Sequence, residues 1–373
     1  MKEIKSLTGN EAVAYALKQI VPEVVACYPI TPVTEIMQLI GKYIQKKEMR
    51  TEMILAESEH SAISACVGAA SCNVRTATAT ASQGLLFMHE ILPIASGLRL
   101  PIVMIVGNRA VSAPINIHND HSDTMAVKDS GWLQFYAENP QEIYDLTLLA
   151  FKISEHEKVR LPIMICMDGF ITTHELVKMQ TINDEKVRQF IGQSKNRSSL
   201  FNFSVPKTIG HLALPNYYMD FRMKLNKTIK YSSKYITEIF QDFNQEFNKN
   251  YNLVETYNLD KSDTILIAMG SICGTIKEAI DQKIINDVGL LKIISFRPFP
   301  KKEIIEVLKN KKKIIVLDKS LTLSGQNSGH LYEEVRSALY GVNKKIDIFG
   351  KTVGLGGKPI YPDDLRKIIV HHE

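Results

Sequence analysis

The sequence predicts an α/β protein: a parallel sheet covered on both faces, followed by a second, smaller α/β unit. Three observations carry this. EVVACY (23–28), PIVMIVG (101–107) and PIMICMD (162–168) are apolar throughout, as strands buried on both faces are. Segments of helical period alternate with them. The rhythm fades over 181–250, where Lys, Asn and Gln dominate, and resumes at 263. The 373 residues therefore divide into a first domain over 1–180, an irregular or helical connection over 181–255 that belongs to it, and a second domain over 256–373.

The elements follow in order. Val13, Leu17 and Ile20 share one helical face over 12–20, with Thr8 or Asn10 as cap. A strand over 23–28 runs into PITP, where two prolines impose an extended turn. Val33, Ile36, Met37, Ile40 and Ile44 then fall at helical spacing. MILAE (53–57) is a strand, and the Ala-, Ser- and Gly-rich 59–72 is a helix packed close to a neighbour. VRTATATA (74–81) is a strand that SQG turns into one helix over about 84–98. After the strand at 101–107, Asn139, Pro140 and Glu142 mark an N-cap, a first-turn proline and a capping-box acid, opening a helix to about 156. The strand at 162–168 closes the series. GQSKNRSS (192–199) reads as irregular and 231–249 as a polar helix. Strands at 263–270, 290–296, 312–320 and 346–351 build the second domain, and GLGGK (354–358) reads as a turn that needs positive φ angles.

Composition narrows the function. Hydrophobic residues make up 45% and charged residues 23%, which excludes disorder and coiled coil. No apolar run reaches the roughly 18 residues of a membrane span. No secretory leader is read at the start, so the cytoplasm is the expected location. The net charge of +5 lies in solvated stretches such as Lys311–Lys313, with no interleaved aromatics, so no nucleic-acid partner is expected. Cys27, Cys66, Cys72, Cys166 and Cys273 are scattered without CxxC spacing, which predicts buried reduced thiols and no cluster or zinc site on this chain.

Ligands on parallel sheets bind where strands stop. That rule selects Tyr28–Thr31, Glu57–Glu59, Ala81–Gly84, Asn108–Arg109 and Asp168–Gly169. Each has two readings. YPITP (28–32) is either a rigid connection or a place where Thr31 and nearby amides hold an anionic group before a helix N-terminus. Glu57 and Glu59 are either dipole partners or a carboxyl set against a nitrogen heterocycle. TASQG (80–84) is a plain turn or a backbone approach to a ligand. Arg109 is a surface residue or a carboxylate fork. His118, Asp120, His121 and Asp123 are hydrogen-bonded structural groups rather than a zinc or magnesium site, since the stretch lacks periodicity.

Taken together, YPITPVTEI (28–36), ESEHSAISACVGAA (57–70), TATASQGLLFMHE (78–90), PIVMIVGNRAVSAPINI (101–117), DSGWLQFYAENPQE (129–142), YYMDFR (217–222), SFRPFP (295–300) and GLGGKPI (354–360) resemble the alpha subunits of the multi-subunit pyruvate:ferredoxin oxidoreductases. The resemblance runs in order through nearly the whole chain. It implies a thiamine-diphosphate-binding, pyrimidine-type domain followed by a transketolase-C-terminal-like domain. It implies oxidative decarboxylation of pyruvate with coenzyme A to acetyl-CoA and carbon dioxide, electrons passing reversibly to ferredoxin. The implied partners are beta, gamma and delta subunits. Thiamine diphosphate would be shared with the beta subunit, and Mg2+ and iron–sulfur (4Fe-4S) clusters would lie on partner chains.

The resemblance also implies roles. Glu59 matches the glutamate that shares a proton with pyrimidine N1′, so that N4′ can take the thiazolium C2 proton. Thr31 matches the threonine on the substrate carboxylate, and Arg109 an arginine near the substrate and the coenzyme A thiol. Ser82 and Gln83 would line the pocket, with Tyr28, Pro29 and Ile30 as its wall. The apolar Ile115–Ile117 segment favours pyruvate over 2-oxoglutarate or branched-chain 2-oxoacids. A scaffold paralogue without chemistry is the remaining alternative, and Thr31, Glu59 and Arg109 together speak against it. The chain departs from the family pattern at HNDH (118–121), where WGDH is usual, and at Lys319 and Lys358, where arginine is common.

Overall fold

The computed structural model describes residues 3–193, 200–260, 262–325, 328–342 and 346–371. The expectation for GQSKNRSS (192–199) falls at 194–199 outside the described residues. In chain order the first part contains β1 (Glu3–Leu7), α1 (Gly9–Ile20), β2 (Val24–Cys27), α2 (Thr34–Gln45), β3 (Glu52–Leu55), α3 (Glu59–Ser71), β4 (Thr76–Thr80), α4 (Ser82–Phe87), α5 (Leu92–Gly97), β5 (Ile102–Asn108), α6 (Ser122–Ala126), β6 (Leu133–Ala137), α7 (Pro140–Glu155), β7 (Ile163–Asp168), β8 (Val177–Thr181), α8 (Asp184–Ile191) and α9 (Pro215–Phe247). The second part contains β9 (Val254–Tyr257), β10 (Thr264–Ala268), α10 (Ile272–Asp281), β11 (Val288–Ile293), β12 (Ser295–Arg297), α11 (Lys301–Leu308), β13 (Lys313–Asp318), α12 (His330–Leu339), β14 (Asp347–Thr352) and α13 (Pro362–His371).

The main sheet has seven strands in the order β12-β6-β7-β5-β4-β2-β3, parallel except for β12. Its central strands β4, β5, β6 and β7 are buried at every position, as their unbroken apolar or Thr/Ala sequences require. The second sheet runs β14-β13-β10-β11-β9, parallel except for β9. A small antiparallel ribbon pairs β1 with β8. On one face of the main sheet, α1, α2 and α7 pack with the far half of α9, through residues such as Leu17, Ile40, Leu149 and Phe240. The apolar core on the other face passes unbroken into the second sheet, through Met104, Val106 and Tyr136 to Phe296, Ile267 and Val316.

Side-chain caps fix the starts of α1, α3, α7 and α8. Thr8 caps α1 and forms a capping box with Glu11. Asn139 caps α7 by accepting from Glu142 N. Glu142 does not complete a box there. Its Oε2 accepts from Glu138 N at 2.8 Å, and its Oε1 faces the Lys292 ammonium.

Four further expectations change. The helix over 84–98 is two, α4 and α5, because Pro93 has no N–H to continue the ladder and instead opens a new first turn. The strand at 290–296 is also two. β11 stays in the second sheet, while β12 crosses to pair antiparallel with β6. The polar helix begins at Pro215 rather than 231, since its first turns expose Tyr217, Tyr218 and Met219 and present no buried stripe to read. β1, β6, β8 and β9 are additional strands. The GLGGK turn is as expected, with φ of 66°, 58° and 78° at Gly354, Gly356 and Gly357. Burial pushes the Cys27 thiol up to about 11 and Cys66 up to about 12, so neither is a thiolate at neutral pH.

Candidate active site at the strand exits

The chain enters the main sheet at β2, moves outward to the edge strand β3, then returns across β2 to β4. Connections leaving β2 and β4 therefore diverge, the topology at which ligands bind beyond the carboxyl ends of strands. All five predicted segments lie on that edge, because β2, β3, β4, β5 and β7 end at Cys27, Leu55, Thr80, Asn108 and Asp168.

Glu59 opens α3 behind the Ser58 cap. It is 8% exposed, and among the described residues no donor bonds its carboxylate. The side chain lies over the exit of β4: a Cβ on Gly84 would stand 2.7 Å from Glu59 Oε1 and 2.6 Å from Thr80 Oγ1. Thr80 Oγ1 is itself buried without a hydrogen-bond partner. Gly84 keeps that space open, so Gly84→Ala is expected to displace the carboxylate. Turnover should fall by about 100-fold, the typical cost of a misplaced catalytic group, and steady-state assay of the assembled enzyme checks it. Unchanged turnover would mean that Glu59 has room to spare.

The YPITP loop is clamped from beneath. Pro32 fits against bare backbone in β5 and just past β7: a Cβ on Gly107 or Gly169 would lie 3.2 or 3.0 Å from its Cγ. Asn10 Nδ2 donates to the Pro32 carbonyl at 2.9 Å. Tyr28, Pro29 and Thr31 remain exposed above it, and Ile30 is half-buried against the core. Arg109 joins this loop to the next: Nη1 donates to the Thr31 carbonyl at 3.0 Å and Nε to the Asn116 carbonyl at 3.2 Å. Thr31 and Arg109 thus meet, through the threonine's main chain.

Ser82 is buried with φ of 49°, and its hydroxyl lies 2.6 Å from the Ala110 carbonyl it donates to. Gln83 beside it is half-buried. Asp123 organises both exits. Its Oδ2 accepts from Ser82 N and Arg109 N, each at 3.0 Å, and its Oδ1 from Asn108 Nδ2 at 2.8 Å. Burial pushes the Asp123 carboxyl up to about 6, against the pull of Asn108 and the three backbone amides. Sequence reasoning placed Asp123 in the HNDHSD cluster and missed this role. Only its loop position opposite two strand ends would have signalled it.

The rest of that cluster faces the second unit. His121 Nε2 lies 2.9 Å from Asp168 Oδ1, and Lys319 Nζ 2.8 Å from Asp168 Oδ2. Ser271, after β10, donates to Asp168 from both its amide and its hydroxyl. Burial opposes the Asp168 charge, yet Lys319 and His121 hold the carboxyl well below the usual range. Lys319 is therefore a buried tie between the units, and Lys358 is exposed. The carboxylates Glu138, Glu142 and Glu255 are grouped closely enough to hold a cation, and the Lys292 ammonium sits among them.

Residues 15–241 match the family described as pyruvate flavodoxin/ferredoxin oxidoreductase, thiamine diphosphate-binding, and 262–365 match pyruvate:ferredoxin oxidoreductase core domain II. The pyruvate synthase subunit PorA of Methanocaldococcus jannaschii is 47% identical over 100% of this chain and 96% of its own. That of Thermotoga maritima is 44% identical over 97% and 92%. The ketoisovalerate oxidoreductase subunit VorA of Pyrococcus furiosus is 43% identical over 98% and 92%. A solved 2-oxoglutarate:ferredoxin oxidoreductase from Magnetococcus marinus shares the fold, with a TM-score of 0.75 and 19% identity. This chain, 99% covered, spans 65% of that one.

Proposed function

The chain belongs to the pyruvate flavodoxin/ferredoxin oxidoreductase family, and from that premise we propose that it is the alpha subunit of a pyruvate synthase whose active site forms at the β2–β4 crevice. The observation that carries this is Glu59, buried and without a donor, beside a glycine that leaves it room. A carboxyl so placed suits the edge of a nitrogen heterocycle, and the orphaned Thr80 hydroxyl lines the same space. Thiamine diphosphate, when bound, supplies the carbon nucleophile and the electron sink for decarboxylation.

The residues of this chain do the rest. Glu59 holds a proton at its carboxyl oxygen and shares it with the pyrimidine ring. Arg109 uses two of its five N–H groups on the Asn116 and Thr31 carbonyls. The remaining three are offered to the carboxylate of a 2-oxoacid, with the Thr31 hydroxyl beside them. Ser82 and Gln83 line the floor, and Tyr28, Pro29 and Ile30 the wall. A beta subunit would complete the cofactor site and hold Mg2+. Partner beta and delta chains would carry the iron–sulfur clusters, with a gamma chain completing the cytoplasmic enzyme. Coenzyme A would accept the acetyl group, and ferredoxin the electrons. Among the described residues no helix is long and apolar enough to cross a membrane.

The 43% identity to a ketoisovalerate enzyme subunit supports a second reading, a branched-chain 2-oxoacid substrate. Anoxic purification of the assembled complex from its host, followed by viologen reduction, separates the two. The proposal predicts reduction that requires pyruvate and coenzyme A together, with a higher kcat/KM than for 2-oxoisovalerate or 2-oxoglutarate. A preference for 2-oxoisovalerate would replace the substrate. No reduction with any 2-oxoacid would favour a scaffold role.

A further inference from the structure

The loop that carries Asn116 is tied to the other end of the chain. Ala110 N donates to the His118 carbonyl at 2.9 Å and closes the loop at its base. Ile115 at its tip is 81% exposed, so apolar burial does little to order it. Order comes instead from the glycine turn after β14. Asn116 Nδ2 donates to the Gly356 carbonyl at 3.0 Å, while its Oδ1 accepts from His118 N at 2.7 Å. Gly356 N donates to Asp120 Oδ2 at 3.0 Å, and Gly357 N to the Asn119 carbonyl at 2.7 Å.

This contact admits only glycine. Gly356 and Gly357 have positive φ, and a Cβ on them would stand 2.5 Å from Asn116 Nδ2 and 2.4 Å from His118 Cβ. Asn116 is also the residue whose carbonyl accepts from Arg109 Nε. A continuous path of hydrogen bonds therefore runs from the second unit to the guanidinium. A fork that must meet a carboxylate in two-point geometry is sensitive to where it is anchored.

We propose that the Gly354–Gly357 turn is a positioning element for Arg109, acting through Asn116 to set the guanidinium for the substrate carboxylate. The inference rests on the role given to Arg109 above. The test uses the assembled enzyme with pyruvate. Asn116→Ala and Gly356→Ala break one hydrogen bond from its two sides. Each is expected to raise the pyruvate KM about fivefold to tenfold, as loss of one such bond does, with kcat within about twofold. Gly356→Ala will also lower the melting temperature, because of its φ, and Asn116→Ala will lower it less, since it loses hydrogen bonds without backbone strain. Arg109→Ala raises the KM further, and on that background Asn116→Ala adds nothing, because the two act as one unit.

If Arg109→Ala leaves the KM unchanged, the reading of Arg109 fails and takes this inference with it. Suppose instead that Arg109→Ala raises the KM while Asn116→Ala does not, or that Asn116→Ala keeps its full factor in the Arg109→Ala background. Then Arg109 keeps its role and the turn is merely structural.

Discussion

Replacing Glu59 by glutamine in the assembled enzyme is expected to lower carbon dioxide release from pyruvate by about 100- to 10,000-fold, the range for loss of a general acid–base group. Glutamine keeps the volume of glutamate but cannot share a proton. Folding should hardly register the change, because the two side chains share one shape. The negative charge at the start of α3 is worth about 0.3–1 kcal/mol to the helix. The melting temperature and subunit composition of the variant should therefore match wild type, and single-turnover release of labelled carbon dioxide checks the chemistry. Turnover near wild type would remove Glu59 from the mechanism.

The second large effect concerns folding. Lys292 is fully buried, and its ammonium is 2.6 Å from Glu138 and 2.8 Å from Glu255, with Glu142 closer still. Lys277 also bridges Glu138 and Glu255. Burial works against the Lys292 charge, but the three carboxylates outweigh it and hold its pKa above the ordinary value. A raised lysine pKa contributes stability that is complete below the unfolded value and is lost only as pH rises through the folded one, so the wild-type contribution is whole at neutral pH. Lys292→Ala leaves Glu142 without a cation, and Glu138 and Glu255 with Lys277 alone, at the join between the two sheets. The expected loss is about 3–5 kcal/mol, as for other broken buried pairs, read as a lower urea midpoint of the complex. The loss has a pH signature. Stranded carboxyls have raised pKa values, so the folded variant binds protons that the unfolded chain does not, and its stability recovers as pH falls from 8 towards 5. A loss that is small, or equal at both pH values, would mean that water reaches the cluster.

Much of this architecture is visible in the sequence, for physical reasons. Strands buried on both faces are apolar at every position, so PIVMIVG and PIMICMD announce themselves. Caps are local too, and Thr8 and Asn139 are readable from a few neighbours. What escapes depends on contacts distant in sequence. β12 is three residues long and owes its place to β6, 160 positions earlier in the register of Ser295 with Phe135. The first turns of α9 expose aromatic residues, which hides the helical stripe.

The candidate site divides in the same way. Tyr28–Thr31, Glu59, Ser82–Gln83 and Arg109 are found by asking where strands stop, and the fold brings all of them to one edge. The groups that hold them there are not found so. Asp123 acts by accepting from the main-chain amides of Ser82 and Arg109, and Asn116 through its own carbonyl, which accepts from Arg109 Nε. Gly84 matters for an atom that it lacks. Lys319 ties in through its single ammonium, which one oxygen of Asp168 accepts.

The central claim is that this chain contributes the carboxyl that governs the proton on the cofactor. The most direct measurement is hydrogen–deuterium exchange at the thiazolium C2 of thiamine bound to the assembled complex, followed by nuclear magnetic resonance after rapid acid quench. The account predicts fast exchange in the wild-type enzyme and exchange slower by at least about 100-fold in Glu59→Gln, with the cofactor still bound. Equal exchange rates in the two proteins would contradict it.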